Sequence, residues 1–103
     1  MKYRTLSEYT IERLKDPLFA QEYLNAALEA YSEDFNNDAL ANAIKNLVLA
    51  SGSVSEFSKT TGINRQHLYT IFNSRTKPQI DTLYKILNAL GFKIEVKNIT
   101  LAS

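Results

Sequence analysis

The stretch 53–72 constrains the fold most, because it joins two short amphipathic segments through a glycine-containing turn. A first helix over residues 54–61 would end at Gly62, which adopts the left-handed conformation at low cost. Asn64 can cap a second helix over residues 65–73. The apolar positions of the two segments and the turn are Phe57, Ile63, Leu68 and Ile71. This pattern predicts a helix-turn-helix unit with a shared core.

The rest of the chain is divided by proline, glycine and polar breaks. Helices are predicted over residues 6–14, 17–31, 39–50 and 80–90. Pro17 suits a first helical position, and Asp38 is a candidate N-cap for the third helix. The third helix carries a core-facing stripe of Leu40, Ala43, Ile44, Leu47 and Val48, and the last helix is expected to face inward with Ile80, Leu83, Leu87 and Leu90.

Residues 92–97 alternate strictly between apolar and polar side chains, which predicts a half-buried strand. Its apolar positions are Phe92, Ile94 and Val96. A single strand needs a hydrogen-bonding partner, so we expect pairing across a homodimer, with another protein's sheet or with the tail 98–101. The predicted fold is mainly all-α, a single domain over residues 1–103 with five to six helices and this C-terminal strand.

Charge is distributed unevenly, although the net charge is only +1. Residues 1–51 carry five Lys or Arg against eight Asp or Glu, whereas residues 52–103 carry seven against three. The two parts therefore have net charges of −3 and +4, a pattern that points to a polyanion-binding part. The absence of cysteine excludes disulfides and thiolate sites, and no apolar run approaches the ~18 residues of a membrane span. We expect a cytoplasmic protein.

The outward positions of the second helix suit the major groove of DNA. They are Arg65, Gln66, Tyr69 and Thr70. Arginine pairs with guanine, glutamine pairs with adenine, and the threonine methyl can contact thymine. Asn64 at the helix start, and Arg75 and Lys77 in the following loop, are candidate phosphate contacts.

Residues 53–90 resemble the helix-turn-helix of the lambda-repressor/Cro (XRE) family. Over residues 10–97 the chain is similar to the addiction-module antidotes, which are HigA-like antitoxins. The sequence segments that carry this resemblance are Leu14-Lys15-Asp16-Pro17, Tyr23-Leu24-Asn25-Ala26-Ala27-Leu28, Thr61-Gly62-Ile63-Asn64-Arg65, Leu68-Tyr69 and Leu87-Asn88-Ala89-Leu90-Gly91-Phe92. The resemblance implies a lambda-repressor-like bundle that binds operator DNA as a dimer, represses its operon and neutralises a RelE/HigB-like mRNA-cleaving toxin.

Two positions depart from the XRE pattern. His67 lies where many relatives have a small or acidic residue, and Val54 lies where a phosphate-contacting polar residue is common. Ser53 or Ser55 is expected to make that phosphate contact instead.

The resemblance divides the chain into a toxin-contacting part (1–51), the helix-turn-helix part (53–91) and the strand (92–97). Because a ribonuclease is cationic where it holds RNA, acidic side chains of the first part are candidate toxin contacts. The candidates are the acidic residues Glu8, Glu12 and Glu22, together with Tyr23. Tyr3, Tyr9, Tyr23 and Tyr31 are either interface anchors or the rim of the core.

Other functions fit less well. Catalysis has no support, since the only histidine has no obvious partner and no metal-ligand spacing, phosphate loop or nucleophile motif is present. No cofactor or metal is expected. A repressor without a toxin partner, and a protein inhibitor without operator binding, remain as alternatives.

Overall fold

The computed structural model describes residues 5–100, which form six helices and, within that range, no strand. The helices are α1 (Leu6–Arg13), α2 (Pro17–Asp34), α3 (Asn37–Ser51), α4 (Val54–Thr61), α5 (Arg65–Phe72) and α6 (Ile80–Ala89). The predicted all-α class is confirmed. Tyr3 lies outside the described residues. No helix in this range is both long and apolar enough to cross a lipid bilayer.

Side-chain caps set the starts of the first three helices. Thr5 and Glu8 form a complete capping box at α1, with hydrogen bonds of 3.0 and 3.3 Å. Asp16 caps α2 by accepting the Leu18 N–H. The predicted cap of α3 is wrong: Asn36 accepts the Asp38 N–H at 2.9 Å. The helix therefore starts two residues earlier than predicted, with Asp38 in its first turn.

Helix α3 lies at the centre of the core and contacts α1, α2, α4 and α5. Its predicted apolar stripe is buried throughout. Leu40, Ile44 and Val48 join a cluster with residues of α4, α5 and α6. Leu47 joins a second cluster with residues of α2 and α6. One helix thus fixes the N-terminal and C-terminal helices relative to each other.

The inward face of α6 differs from the prediction at its first residue. Ile80 is 73% exposed, whereas Ile86 is fully buried in the cluster around α5. Leu83, Leu87 and Leu90 do pack inward, as predicted. Ile80 lies at the start of the helix, beyond the residues that reach the core, so its apolar side chain stays in solvent.

The predicted strand over residues 92–97 is not found, since this segment forms neither a strand nor a helix in the described range. The Phe92 N–H donates to the Leu87 carbonyl at 2.8 Å. Phe92 and Ile94 pack on the cluster around Leu24, whereas Val96 is 98% exposed. The alternating pattern therefore arises because one side of this segment packs on helices. The segment forms no hydrogen-bonded ladder with a strand in the described range.

Replacement of Phe92 by alanine should destabilise the protein by about 1–3 kcal/mol, less than the loss of a fully buried phenylalanine, because its ring is only half-buried. Val96→Ala should change the free energy of unfolding by less than about 0.5 kcal/mol. Urea denaturation of both variants measures the difference. An equal loss in the two variants would mean that Val96 is buried against another chain.

Candidate functional site

Helices α4 and α5 are joined by a tight turn that follows the predicted pattern. Gly62 has φ +75° and ψ 6°, and its N–H donates to the Ser58 carbonyl at 2.8 Å. The Ser58 hydroxyl donates across the turn to the Ile63 carbonyl. All four predicted core residues of this unit are buried: Phe57, Ile63, Leu68 and Ile71. Both helices are therefore held by the core and by hydrogen bonds to backbone carbonyls at the turn.

Ser53 and the predicted N-cap Asn64 each accept a hydrogen bond from the helix that follows. The Ser53 hydroxyl accepts the Glu56 N–H at 3.1 Å. The Asn64 carboxamide oxygen accepts the Gln66 N–H at 2.7 Å. The Asn64 amide nitrogen donates to no other group within residues 5–100, so it can donate to a ligand that approaches the N-terminal end of α5.

Helix α5 has one buried face and one outward face. Leu68, Ile71 and Phe72 are buried in the core. Arg65, Gln66 and Tyr69 are exposed, and the Tyr69 ring meets the Phe72 ring edge-on with centroids 5.9 Å apart. The structure therefore brings three of the four predicted base-reading side chains to the surface of one short helix.

Ser55 contacts Arg65 directly. The Arg65 Nη1 donates to the Ser55 hydroxyl oxygen at 2.8 Å, and both residues are exposed. This bond links the first turns of α4 and α5 on the surface. Because the five N–H groups of a guanidinium form a fork, one bond to Ser55 leaves donors for a second partner.

Thr70, the fourth predicted base contact, is half-buried, and its hydroxyl and carbonyl form hydrogen bonds within the protein. Its hydroxyl donates to the His67 carbonyl at 2.7 Å and lies 3.1 Å from the Thr76 hydroxyl. The Thr70 carbonyl also accepts the Arg75 N–H at 2.9 Å. Thr70 thus supports the loop that follows α5.

The loop after α5 is held from a second side by the start of α3. Ser74 adopts a left-handed backbone conformation with φ +60°, and its hydroxyl accepts a 3.0 Å hydrogen bond from the Asn37 side chain. Arg75 and Lys77 extend from this loop and are exposed. The sequence gives no signal for the Asn37–Ser74 bond, since the two residues are 37 positions apart.

The predicted toxin contacts lie on α1 and α2, away in sequence from α5. Glu8, Glu12 and Glu22 are exposed, and Glu12 pairs with Lys15 at 3.1 Å. Tyr23 is half-buried, and its hydroxyl oxygen accepts a 3.0 Å hydrogen bond from the Asn46 side chain. Sequence reasoning missed Asn46, which is buried in the core although it is polar.

Comparison with protein families gives one match. The family described as "Probable addiction module antidote protein" matches residues 5–98, nearly the whole chain. The chain belongs to this family of addiction module antidotes. Comparisons with curated proteins and with solved structures give no match.

Membership defines the general function of this chain. An antidote is the antitoxin of a toxin–antitoxin module, so a partner of this chain is a toxin protein. Within residues 5–100 of the antidote, no group of three or more His, Cys, Asp or Glu side chains is arranged to hold a metal ion.

Gly62→Ala should destabilise the antidote by about 1–2 kcal/mol, because an alanine in the left-handed region is strained. A Cβ at this position would meet no atom within 4 Å, so the cost comes from the backbone alone. Gly62→Asn should lose less stability than Gly62→Ala, since asparagine tolerates the left-handed conformation better than alanine does. Thermal or urea unfolding checks the order; equal stability of Gly62→Ala and the parent would contradict it.

Proposed function

We propose that this antidote is a HigA-like, sequence-specific DNA-binding protein that represses its own operon and blocks a RelE/HigB-like mRNA-cleaving toxin by direct binding. In this proposal residues 53–91 form a helix-turn-helix part of the lambda-repressor/Cro (XRE) type. Residues 1–51 contain the toxin-contacting surface. Because the two proposed partners are operator DNA and an mRNA-cleaving toxin, this proposal assigns the antidote to the cytoplasm.

The observation that carries the DNA-binding proposal is the two-sided character of α5. Its buried face fixes the helix on the core, while Arg65, Gln66 and Tyr69 remain exposed near its N-terminal end. Arginine and glutamine both make bidentate hydrogen bonds to base edges in the major groove, to guanine and adenine respectively. Thr70 can add a methyl contact to thymine while its hydroxyl supports the loop.

Phosphate contacts would surround α5. Arg75 and Lys77 lie in a loop that Thr70 and Asn37 hold in place, so the backbone that carries these two side chains is held next to the end of α5. Asn64 would donate its amide N–H to a phosphate at the N-terminal end of α5. Ser53 and Ser55 at the start of α4 are the remaining proposed phosphate contacts.

The proposed operator complex contains a homodimer. A helix-turn-helix unit reads a short half-site, and two copies related by a twofold axis read half-sites about 34 Å apart. The segment 92–97 is not the basis of this proposal, since it packs on its own helices through Phe92 and Ile94.

The toxin-contacting role of the N-terminal helices rests on charge. An mRNA-cleaving toxin needs a cationic surface to hold RNA, and Glu8, Glu12 and Glu22 are exposed on α1 and α2. Opposite charges on two partners speed their encounter and favour the correct orientation. Tyr23 lies on the same helix as Glu22, one residue further along the chain.

The double variant Arg65→Ala/Gln66→Ala should lose most of its affinity for DNA from its own promoter, by about 1–3 kcal/mol for each base contact. Fluorescence anisotropy with a labelled promoter duplex measures this loss. Toxin neutralisation in a translation assay should persist, because neither residue belongs to α1 or α2.

Gln21→Ala/Lys93→Ala is the matched control, since it removes the same two residue classes from an exposed groove between α2 and the C-terminal segment. The control should bind the promoter like the parent. Equal losses in both double variants would contradict the proposed role of α5, and loss of neutralisation in Arg65→Ala/Gln66→Ala would show that the two surfaces overlap.

Salt dependence tests the proposed phosphate contacts. Each phosphate contact contributes roughly −0.9 to the slope of log K against log salt concentration, so Arg75→Ala and Lys77→Ala should each make the slope shallower by about that amount. Lys97→Ala, which removes an exposed lysine from the C-terminal segment, should leave the slope unchanged. If the parent does not bind promoter DNA, the chain is an inhibitor that does not bind an operator. Binding that is insensitive to salt would contradict the proposed phosphate contacts.

A further inference from the structure

An apolar and aromatic stripe crosses the surface of α1 and α2. Leu6, Tyr9 and Arg13 follow one another on α1 at spacings of three and four residues, which places them on one face of the helix. Leu6 is 82% exposed and Tyr9 is 54% exposed. Phe19 and Tyr23 have the same four-residue spacing on α2. We call these five residues the aromatic stripe.

Direct contacts join the α1 and α2 parts of the stripe. The Arg13 guanidinium lies over the Phe19 ring, 4.1 Å from its centroid. The Phe19 ring in turn stacks on Tyr23, with centroids 6.3 Å apart. A guanidinium on an aromatic face and two stacked rings are favourable arrangements. Arg13, Phe19 and Tyr23 therefore hold one another in place, which lowers the side-chain entropy that these three residues lose when a partner binds.

The far end of the stripe is anchored to the core through Asn46. This residue is 4% exposed, and its amide nitrogen donates to the Tyr23 hydroxyl oxygen at 3.0 Å. The Tyr23 hydroxyl thus acts as an acceptor toward the core, and within residues 5–100 it donates to no protein group.

Exposed acidic side chains are frequent on the two helices that carry the stripe. Glu8, Glu12 and Glu22 each directly precede a stripe residue in the sequence, and we call these three residues the acidic rim. From residue 6 to residue 34 the chain has seven Asp or Glu and two Lys or Arg, a net charge of −5. All seven acidic residues are exposed, and the one ion pair among the described residues joins Glu12 to Lys15. An aromatic centre with a charged rim is typical of a protein interface. The excess of negative charge selects a basic partner and repels both DNA and a second acidic helix pair.

We propose that the aromatic stripe is the docking surface for the toxin. This inference rests on the proposed function, in which the toxin is a basic, RNA-cleaving protein. The stripe supplies most of the binding strength because its aromatic and arginine side chains become buried in the complex. The acidic rim mainly accelerates association, since its charges act at long range and remain near solvent.

The experiment measures association and dissociation rates of the full-length antidote with the toxin encoded in its own operon, held on a biosensor surface in a catalytically inactive form. Tyr9→Ala should increase koff roughly tenfold or more and change kon little. Tyr9→Phe, which keeps the ring, should restore most of the lost residence time. Tyr84→Ala is the matched control, because Tyr84 is an exposed tyrosine on α6.

A second variant separates the acidic rim from the stripe. Glu8→Gln/Glu12→Gln/Glu22→Gln should lower kon roughly tenfold at low salt and flatten its dependence on ionic strength, with koff nearly unchanged. Glutamine keeps the side-chain length at all three positions. The two sets of variants should therefore affect different rate constants.

Several results would overturn the inference. Unchanged toxin kinetics in both Tyr9→Ala and Arg13→Ala would show that the toxin binds elsewhere, whereas the antitoxin proposal would stand if the parent still binds. A dimer that becomes a monomer on Tyr9→Ala, measured by light scattering, would make the stripe an interface between copies. Failure of the parent to bind the toxin would instead contradict the proposed function.

Discussion

The burial of α3 between two apolar clusters is the constraint on which the rest of the structure depends. Leu40, Ile44 and Val48 contribute to the cluster under α4 and α5, and Leu47 contributes to the cluster under α2. Helix α6 bridges the same two clusters through the neighbouring residues Ile86 and Leu87. A chain of this length has enough apolar surface for one core, and the two clusters share the helices that form it. Helix α5 and the acidic helices α1 and α2 are therefore parts of one packed body.

Much of this arrangement could be predicted because it depends on local signals. The α4–α5 unit follows from caps, one glycine and four apolar positions, and each of these is a short-range feature of the sequence. The bounds of α4 agree with the prediction at both ends. The α3 stripe is equally clear from the sequence, since buried positions repeat every three to four residues.

The predictions are wrong where a sequence pattern does not specify which part of the fold packs against it. Alternation over residues 92–97 indicates one buried side, but it does not show whether strands or helices cover that side; here helices do. Asn36 and Asp38 are both good caps, and only the geometry of the α2–α3 corner selects Asn36. The contacts of Asn37 with Ser74 and of Tyr23 with Asn46 join segments that are distant in the sequence, so no local sequence pattern predicts them.

The separation of charge along the chain has a physical consequence for how the two surfaces act. Helices α1 and α2 carry the acidic excess, while residues 52–103 carry a net charge of +4. No side chain proposed to touch DNA belongs to α1 or α2, so a surface substitution can impair one activity and spare the other. A substitution on the buried face of α3 has no such selectivity, because that face contributes to both clusters. Joint loss of toxin and operator binding on substitution of a buried α3 residue therefore indicates a damaged core, whereas separate losses on substitution of exposed residues identify the two surfaces.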